Sequence, residues 1–386
     1  ANLKRLPGNI KLYRSFDFEV GRDTIIIDAL LGTGVKGQLK EPLNAIINRI
    51  SDLPNKIISI DLPSGIKSEF GNINQTIIKA DITLTLEFPK LAMLVPEAGE
   101  YCGEIVILPI GLDKSYINAV ESPYYYITSK LISDLSVKRS KFAHKGTYGH
   151  ALLICGSRGM TGAAILATGA ALRSGCGLVT LHLPEEERFS VQSIYPSAIQ
   201  SLDHKSYFSE LPADLEKYST VGIGCGLGQS TDTVIAFENL LKVTTQPMVI
   251  DADAINILSS LPELQQYIPA NSILTPHVGE LKRLVGEWES EEYKMELVYR
   301  LANQLNSVIV VKGAHTMICT PDHHFYFNST GSSGMAKGGS GDVLTGYITG
   351  LLARGYTSLK AALIGVYIHG LAGDMAVEKL GEEGVN

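Results

Sequence analysis

Several features are scarce in this sequence, and each scarcity excludes something. No apolar run in the 386 residues reaches the roughly 20 that a membrane-spanning helix needs. The opening stretch ANLKRLPGNIKLYRS holds no apolar signal core. A cytoplasmic protein with no membrane partner is the expectation. Lys and Arg number 33 against 40 Asp and Glu, a formal net charge of -7. The cationic excess that nucleic-acid phosphates recruit is therefore missing. A small anionic ligand stays open, because a few backbone N–H groups hold phosphate without net positive charge. Cysteine is sparse: Cys102, Cys155, Cys176, Cys225 and Cys319 are scattered, with no CxxC pair and an odd count. That disfavours a disulfide framework or a structural zinc site and fits reduced thiols buried as small core residues. Trp288 is the only tryptophan, and no short-period repeat or low-complexity segment occurs.

What remains is the composition of a globular enzyme, 45% hydrophobic and 19% charged, at a length that suits two domains. The first section alternates isoleucine-rich runs with turns: Thr24–Ile27, Lys56–Ile60, Ile82–Leu86 and Ile105–Leu108 read as strands, with Pro42–Ile50 as a crossover helix. Runs apolar throughout predict parallel strands covered on both faces. A connector follows over 122–145, with three tyrosines and the basic residues Lys138, Arg139 and Lys141. The alternation then restarts. Ala151–Cys155, Leu178–Leu183, Thr220–Ile223, Met248–Ile250, Ser272–Leu274 and Val308–Val311 read as strands, and Ala163–Ser174 as an alanine-rich helix. Two long helices close the chain, one beginning at Asp342 and one covering Leu359–Leu380. This is an α/β pattern, in which ligands bind at the carboxyl ends of the strands.

The sharpest local signal is Gly331–Gly346, GSSGMAKGGSGDVLTG. Glycines let backbone approach a ligand closely and adopt positive φ. The helix that follows offers unpaired N–H groups and a positive dipole end. Gly339, Ser340 and Gly341 can cradle a phosphoryl group, and Asp342 in the first turn faces the same anion. A carboxylate there is costly unless it removes a proton from a hydroxyl that attacks phosphorus. Aspartate also caps helices, but a cap does not need so glycine-dense a loop. The pattern is neither a P-loop nor a dinucleotide-binding fingerprint.

The segment resembles the GxGD anion-hole signature of the ribokinase superfamily. Within it, GSGDVLTG after Lys-Gly-Gly is similar to the ADP/ATP-dependent NAD(P)H-hydrate dehydratases. Other motifs fall in that family's order from about Lys138 to the end: GSRGMTGAAILATGAALRSGCGLV, Gly224-Cys225-Gly226-Leu227-Gly228, Asp251-Ala252-Asp253-Ala254, Thr275-Pro276-His277-Val278-Gly279-Glu280 and Val311-Lys312-Gly313. Cys225 stands where the family usually has proline. Each motif alone has an ordinary reading: a tight turn for GxGxG, a cap for Asp253, a strand-end lysine for Lys312.

The resemblance implies a ribokinase-like three-layer α/β/α domain with a mostly parallel sheet over 126–386, with Asp342 as catalytic base. It places ADP or ATP, with Mg²⁺, against Lys312, Gly313, Ala314, His315, Thr316, Ser332, Ser333, Gly334, Met335, Ala336, Lys337, Gly338, Gly339, Ser340 and Gly341. The hydrated nicotinamide nucleotide would meet Ala163, Gly228, His277, Val278, Gly279, Glu280 and Asp342. His323 and His324 lie in an expected hairpin without a convincing set of partner ligands for a metal. The family also implies a homo-oligomer, a tetramer or larger.

In the first section, Ile60-Asp61-Leu62-Pro63-Ser64-Gly65 and the strand turning at Gly32-Thr33-Gly34 look like the later half of an NAD(P)H-hydrate epimerase domain. That likeness implies a partial Rossmann-like α/β domain over 1–125. Asp28 and Ser64 would ligate potassium, which hard oxygen donors suit. Gly32, Thr33, Gly34, Val35, Lys36, Gly37, Gln38 and Asp61 would hold substrate. The family's early helices and Gly-Asn-Asn-Gly-Gly-Asp loop do not occur before the first strand, so the expectation is a fragment or a degenerate domain. Two other classes share these features: a small-molecule kinase of the same superfamily, and a nucleotide-binding protein without turnover.

Overall fold

Isoleucine, leucine and valine runs that stop at Asp, Gly or Pro become strands whose ends fall where those residues stand. The computed structural model describes residues 19–73 and 75–385, and the chain parts into two units between Val120 and Glu121. The opening stretch read above for a signal core lies outside the described residues.

The first unit runs β1 (Ile26–Asp28), α1 (Leu43–Ser51), β2 (Ile57–Ile60), β3 (Ile82–Leu86), α2 (Pro96–Gly99), β4 (Glu104–Leu108) and α3 (Lys114–Ala119). Its sheet is parallel throughout, in the order β1-β2-β3-β4. The register sets Asp28 beside Ser59 and Ile60 beside Leu84. Ile57 of the sheet buries against Ile47 and Ile50 of α1, with Ile26 packed beside them. The other face departs from the expectation of cover on both sides: Ile27 is 57% and Leu108 38% exposed. Period two explains the split, since Ile26 and Ile27 must point to opposite faces.

The second unit begins with β5 (Tyr124–Tyr126), α4 (Ser129–Leu135), β6 (His150–Ile154), α5 (Thr161–Arg173), β7 (Leu178–Pro184), α6 (Arg188–Ile194), β8 (Ile199–Asp203) and β9 (Thr220–Ile223). It continues with α7 (Thr231–Val243), β10 (Met248–Ile250), α8 (Ala252–Ser260), β11 (Ile273–Leu274), α9 (Val278–Val285), α10 (Glu291–Leu305) and β12 (Val308–Val311). It ends with β13 (Met317–Cys319), β14 (Phe325–Phe327), α11 (Ser340–Ala353) and α12 (Ser358–Leu380). Ten strands form one sheet, β5-β14-β13-β12-β11-β10-β9-β6-β7-β8. Among the described residues, only the hairpin pairings β12–β13 and β13–β14 of this sheet are antiparallel. The central strands β9, β10 and β12 are buried at every position, which is why their sequences are continuous apolar runs. The edges were not expected. β8 mixes polar and apolar residues without a regular alternation, and the connector tyrosines become β5, so neither carries a run of core residues.

Close packing of α11 on α5 sets the position of the glycine loop. A Cβ on Gly346 would run into the Ala167 carbonyl oxygen, so the two backbones meet only because position 346 has no side chain. The same helix packs on α12 and across β6, β9 and β10. Its first turn thereby lies at the carboxyl ends of the strands.

Candidate active site

Parallel strands deliver their carboxyl ends to one edge, and the residues following them line a cleft of 890 Å³. Asp251 follows β10, His277 and Glu280 follow β11, and Lys312 follows β12. Ser332, Ser333 and Met335–Asp342 supply the opposite wall. Gly339 caps α11 with φ 95°, a left-handed conformation that glycine accepts without strain. The turn it makes leaves Asp342 in the first helical turn, lining the cleft.

The charges there are coupled. Lys312 Nζ donates to Asp251 Oδ1 at 2.7 Å and lies 3.7 Å from Glu280 Oε2. Burial works against the Lys312 charge, but Asp251 and Glu280 outweigh it and hold the ammonium above the usual lysine range. The second Asp251 oxygen accepts from Thr345 Oγ1 at 2.7 Å, tying β10 to α11. Burial pushes the Asp342 carboxyl up, and the nearby Asp251 adds to this; the Cys225 thiol and Lys312 oppose it. His277 is held by reciprocal bonds: its N–H donates to Glu280 Oε2 at 2.8 Å, and its Nδ1 accepts from Gly279 N at 3.0 Å. His369 of α12 lies near Ser340, 3.4 Å from its Oγ, and burial depresses the imidazole to about 4. It is therefore neutral near pH 7. The site combines a half-buried carboxylate of raised basicity, backbone amides at a helix start and a fixed ammonium. Such a set can deprotonate a hydroxyl and hold the phosphoryl group that it attacks.

Most residues singled out from sequence meet in this cleft: Lys312, Gly313, Ala314, Thr316, Ser332, Ser333, Met335, Ala336, Lys337, Gly338, Gly339, Ser340, Gly341, His277, Glu280 and Asp342. Others do not line it. His315 turns inward, its Nδ1 bonded to the Asn328 carbonyl at 3.0 Å. Gly334 is buried against Val377 and Glu382. Ala163 packs in the core with Cys155 and Cys225, while Gly228 donates its N–H to Asp253 Oδ2 at 2.9 Å. Val278 is 43% exposed, and the Gly279 N–H is taken up by the His277 cap. Sequence reasoning gave no role to Thr345 or His369; for Asp251, the resemblance placed the aspartate-rich turn it opens near the substrate, without naming Asp251 itself as a site residue. Asp251 ends a strand and begins an aspartate-rich turn, a signal that was available. His369 stands within an apolar helix, where a histidine gives no distinguishing signal.

In the first unit, Asp28 is buried. It accepts from Ser64 Oγ at 2.6 Å, Ser64 N at 2.8 Å and Ser59 Oγ at 2.8 Å. Asp61 pairs with Lys90, which also donates to Thr85 Oγ1 at 3.0 Å. Gly32 lies close to the Asp61 carboxyl. Thr33, Gly34, Val35, Lys36, Gly37 and Gln38 follow β1 as an exposed or half-buried loop. Ser59 and Lys90 are additions that sequence did not suggest.

The second unit thus defines a ribokinase-like α/β enzyme whose cleft is lined by a glycine loop and a carboxylate at a helix start. The sequence profile of the NAD(P)H-hydrate dehydratase family matches residues 151–386, and that of the YjeF-related protein N-terminus matches residues 2–92. The bifunctional NAD(P)H-hydrate repair enzyme Nnr of Coxiella burnetii is 36% identical over 363 residues, covering 94% of this chain and 73% of the relative. Its Escherichia coli K12 counterpart is 32% identical, with 94% and 69% covered. Among solved structures, the ADP/ATP-dependent NAD(P)H-hydrate dehydratase of Bacillus subtilis, co-crystallised with ATP and Mg²⁺, is 31% identical. It matches with a TM-score of 0.56, covering 67% of this chain and 94% of that one. A ribokinase-like superfamily protein from Enterococcus faecalis V583 gives 0.60 at 26% identity, covering 68% and 91%. The chain belongs to the bifunctional NAD(P)H-hydrate repair enzymes.

Proposed function

We propose that residues 126–386 dehydrate the S form of NAD(P)H-hydrate at the expense of ADP or ATP, with Asp342 as the base. The observation that carries this is the placement of Asp342 in the first turn of α11, in the cleft and beside Gly338–Gly341. Asp342 takes the proton of the ring hydroxyl. The resulting oxygen forms a bond to the terminal phosphorus, and the bond to the nucleotide leaving group breaks. Amides of Gly339–Gly341 and the Lys312 ammonium offset charge on the transferred oxygens. Phosphate then leaves with its bonding pair as the ring nitrogen's electrons advance, and loss of a proton from the neighbouring carbon restores the dihydropyridine. The nucleotide would contact Lys312–Thr316 and Ser332–Gly341; the hydrate would contact Ala163, Gly228, His277–Glu280 and Asp342. Among the described residues no group of three or more acidic, histidine or cysteine side chains is arranged to hold a metal ion, so Mg²⁺ would enter with the phosphates of the nucleotide. When bound, that ion neutralises phosphate charge.

For residues 1–125 we propose epimerisation of the R and S hydrates, with Gly32–Gln38 and Asp61 around the substrate. Asp28 and Ser64 are buried oxygen donors of the hard type that potassium takes, joined here by a 2.6 Å hydrogen bond that the ion would replace. Homo-oligomerisation belongs to the same reading, supported by the exposed apolar Phe189, Ile194 and Ile199 around edge strand β8. So does cytoplasmic residence, supported by five free cysteines. Among the described residues, no helix is long and apolar enough to cross a membrane.

The test is incubation with S-NADHX and ADP or ATP, following both NADH absorbance and phosphate. Equal amounts of NADH and phosphate are expected; a stable phosphorylated product would identify a kinase instead, and tight binding without phosphate release a non-catalytic binder. Turnover of the R hydrate that requires potassium tests the epimerase half.

A further inference from the structure

Strands β2 and β3 of the first unit end in the same uncommon way. After β2, Leu62 N donates to the Ile60 carbonyl at 2.9 Å across Asp61, whose φ is 69°. After β3, Phe88 N donates to the Leu86 carbonyl at 2.8 Å across Glu87, whose φ is 60°. A three-residue turn with a non-glycine centre at positive φ is rare and strained. Asp61 is further tied to β3: its N–H donates to the Leu84 carbonyl at 2.9 Å, and its Oδ1 accepts from Leu86 N at 3.2 Å.

Lys90 joins the two turns. Its ammonium pairs with Asp61 Oδ1 and donates to Thr85 Oγ1 at 3.0 Å and to the Leu86 carbonyl at 3.1 Å. Three acceptors use all three N–H bonds of an ammonium. Its backbone is fixed as well. Lys90 directly precedes the helical turn Leu91–Leu94, which is buried at every residue, and its carbonyl accepts from Met93 N at 3.0 Å. The second Asp61 oxygen, Oδ2, has no hydrogen-bond partner among the described residues. That oxygen lies next to Gly32, where a Cβ would stand 3.8 Å from it.

We propose that Lys90 is a positioning residue for epimerisation: by holding Asp61 Oδ1, its ammonium leaves Oδ2 as the oxygen presented to the hydrate beside the Gly32–Gln38 loop. This rests on the reading of Asp61 and that loop as the hydrate's site in the first unit. A carboxylate held by one neutral donor can rotate and exchange its two oxygens. The Leu86 N–H is such a donor. The ammonium adds a charge-assisted bond to the same oxygen, roughly twice as strong, from a segment anchored in the core. Rotation would then break both bonds, so Oδ2 keeps its place next to Gly32.

The full chain is incubated with R-NADHX in potassium buffer without nucleotide, and the S hydrate formed above the uncatalysed rate is followed by chromatography. Lys90→Met should lower kcat for epimerisation about 10²-fold, the cost of a misaimed group, with KM near the parent value. Lys90→Arg keeps a cation and should restore most of kcat. A Met variant with the parent kcat, a loss that falls on KM alone, or an Arg variant as slow as Met overturns the proposal. If Lys90→Met does not fold, the nitrogen-15 resonance of the Lys90 ammonium decides. Assigned by its loss in Lys90→Arg, it should shift in Asp61→Asn, and an unchanged resonance overturns the pairing. This readout needs no turnover. A parent chain that leaves R-NADHX at the uncatalysed rate would sink the epimerase reading and the proposal with it. A parent that epimerises while Lys90→Met matches it sinks the Lys90 role alone, so the two failures are distinguishable.

Discussion

The two units use the same device to different degrees. In each, strands run parallel and polar residues gather at the carboxyl ends. In the second unit, charged groups from β10, β11, β12 and α11 enclose a cleft, and small residues let α11 press onto α5. In the first, Asp28 is fully engaged by Ser59 and Ser64, one Asp61 oxygen by Lys90, and one sheet face carries exposed Ile27 and Leu108. The difference teaches that strand-end chemistry becomes a cleft where packed helices hold the polar groups of several strands around one space.

Loss of the base should produce the largest contrast. Asp342→Asn is expected to lower dehydration kcat by about 10³-fold or more, while calorimetric nucleotide binding and any epimerisation stay at parent values. Lys312→Met comes next. It removes the ammonium proposed to face the phosphates and leaves Asp251 with Thr345 alone, so kcat/KM for the nucleotide should fall about 10²-fold. The measurement is steady-state phosphate release. A fall confined to epimerisation in either variant would break the assignment of chemistry to units.

Stability sharpens the comparison further. Gly346→Ala must push α11 off α5, because its methyl meets a backbone carbonyl. A destabilisation of about 1–3 kcal/mol, with impaired dehydration, should appear in denaturant unfolding. Asp28→Ala leaves the Ser59 and Ser64 hydroxyls without their shared acceptor and should cost about 1–3 kcal/mol. The S hydrate should still be dehydrated at the parent rate, while potassium ceases to affect turnover of the R hydrate.

The smallest effect concerns pH. Burial raises Asp342, and in the proposed reaction its ionised form is the active one. The acid limb of kcat/KM should therefore lie above the range of an exposed carboxylate, with activity lost as pH falls through it. His369, depressed to about 4, should contribute no limb near neutrality. A limb that disappears in His369→Gln would contradict this.

Sequence alone determined much of this protein. Strands β9, β10 and β12 were legible because full burial forces unbroken apolar runs. The loop before α11 was legible because positive φ at Gly339 and free amides at a helix start are local properties of neighbouring residues. Edge strands β5 and β8 were not legible, since a half-exposed strand need not be apolar. Nor was the company Asp342 keeps. Lys312 was assigned to the same nucleotide site by resemblance, but that it, Asp251 and His369 surround Asp342 follows only because β10, β11 and β12 lie side by side in the sheet while α12 packs against α11. Strand order and helix packing are set by burial summed over the whole unit, a quantity no local stretch of sequence carries.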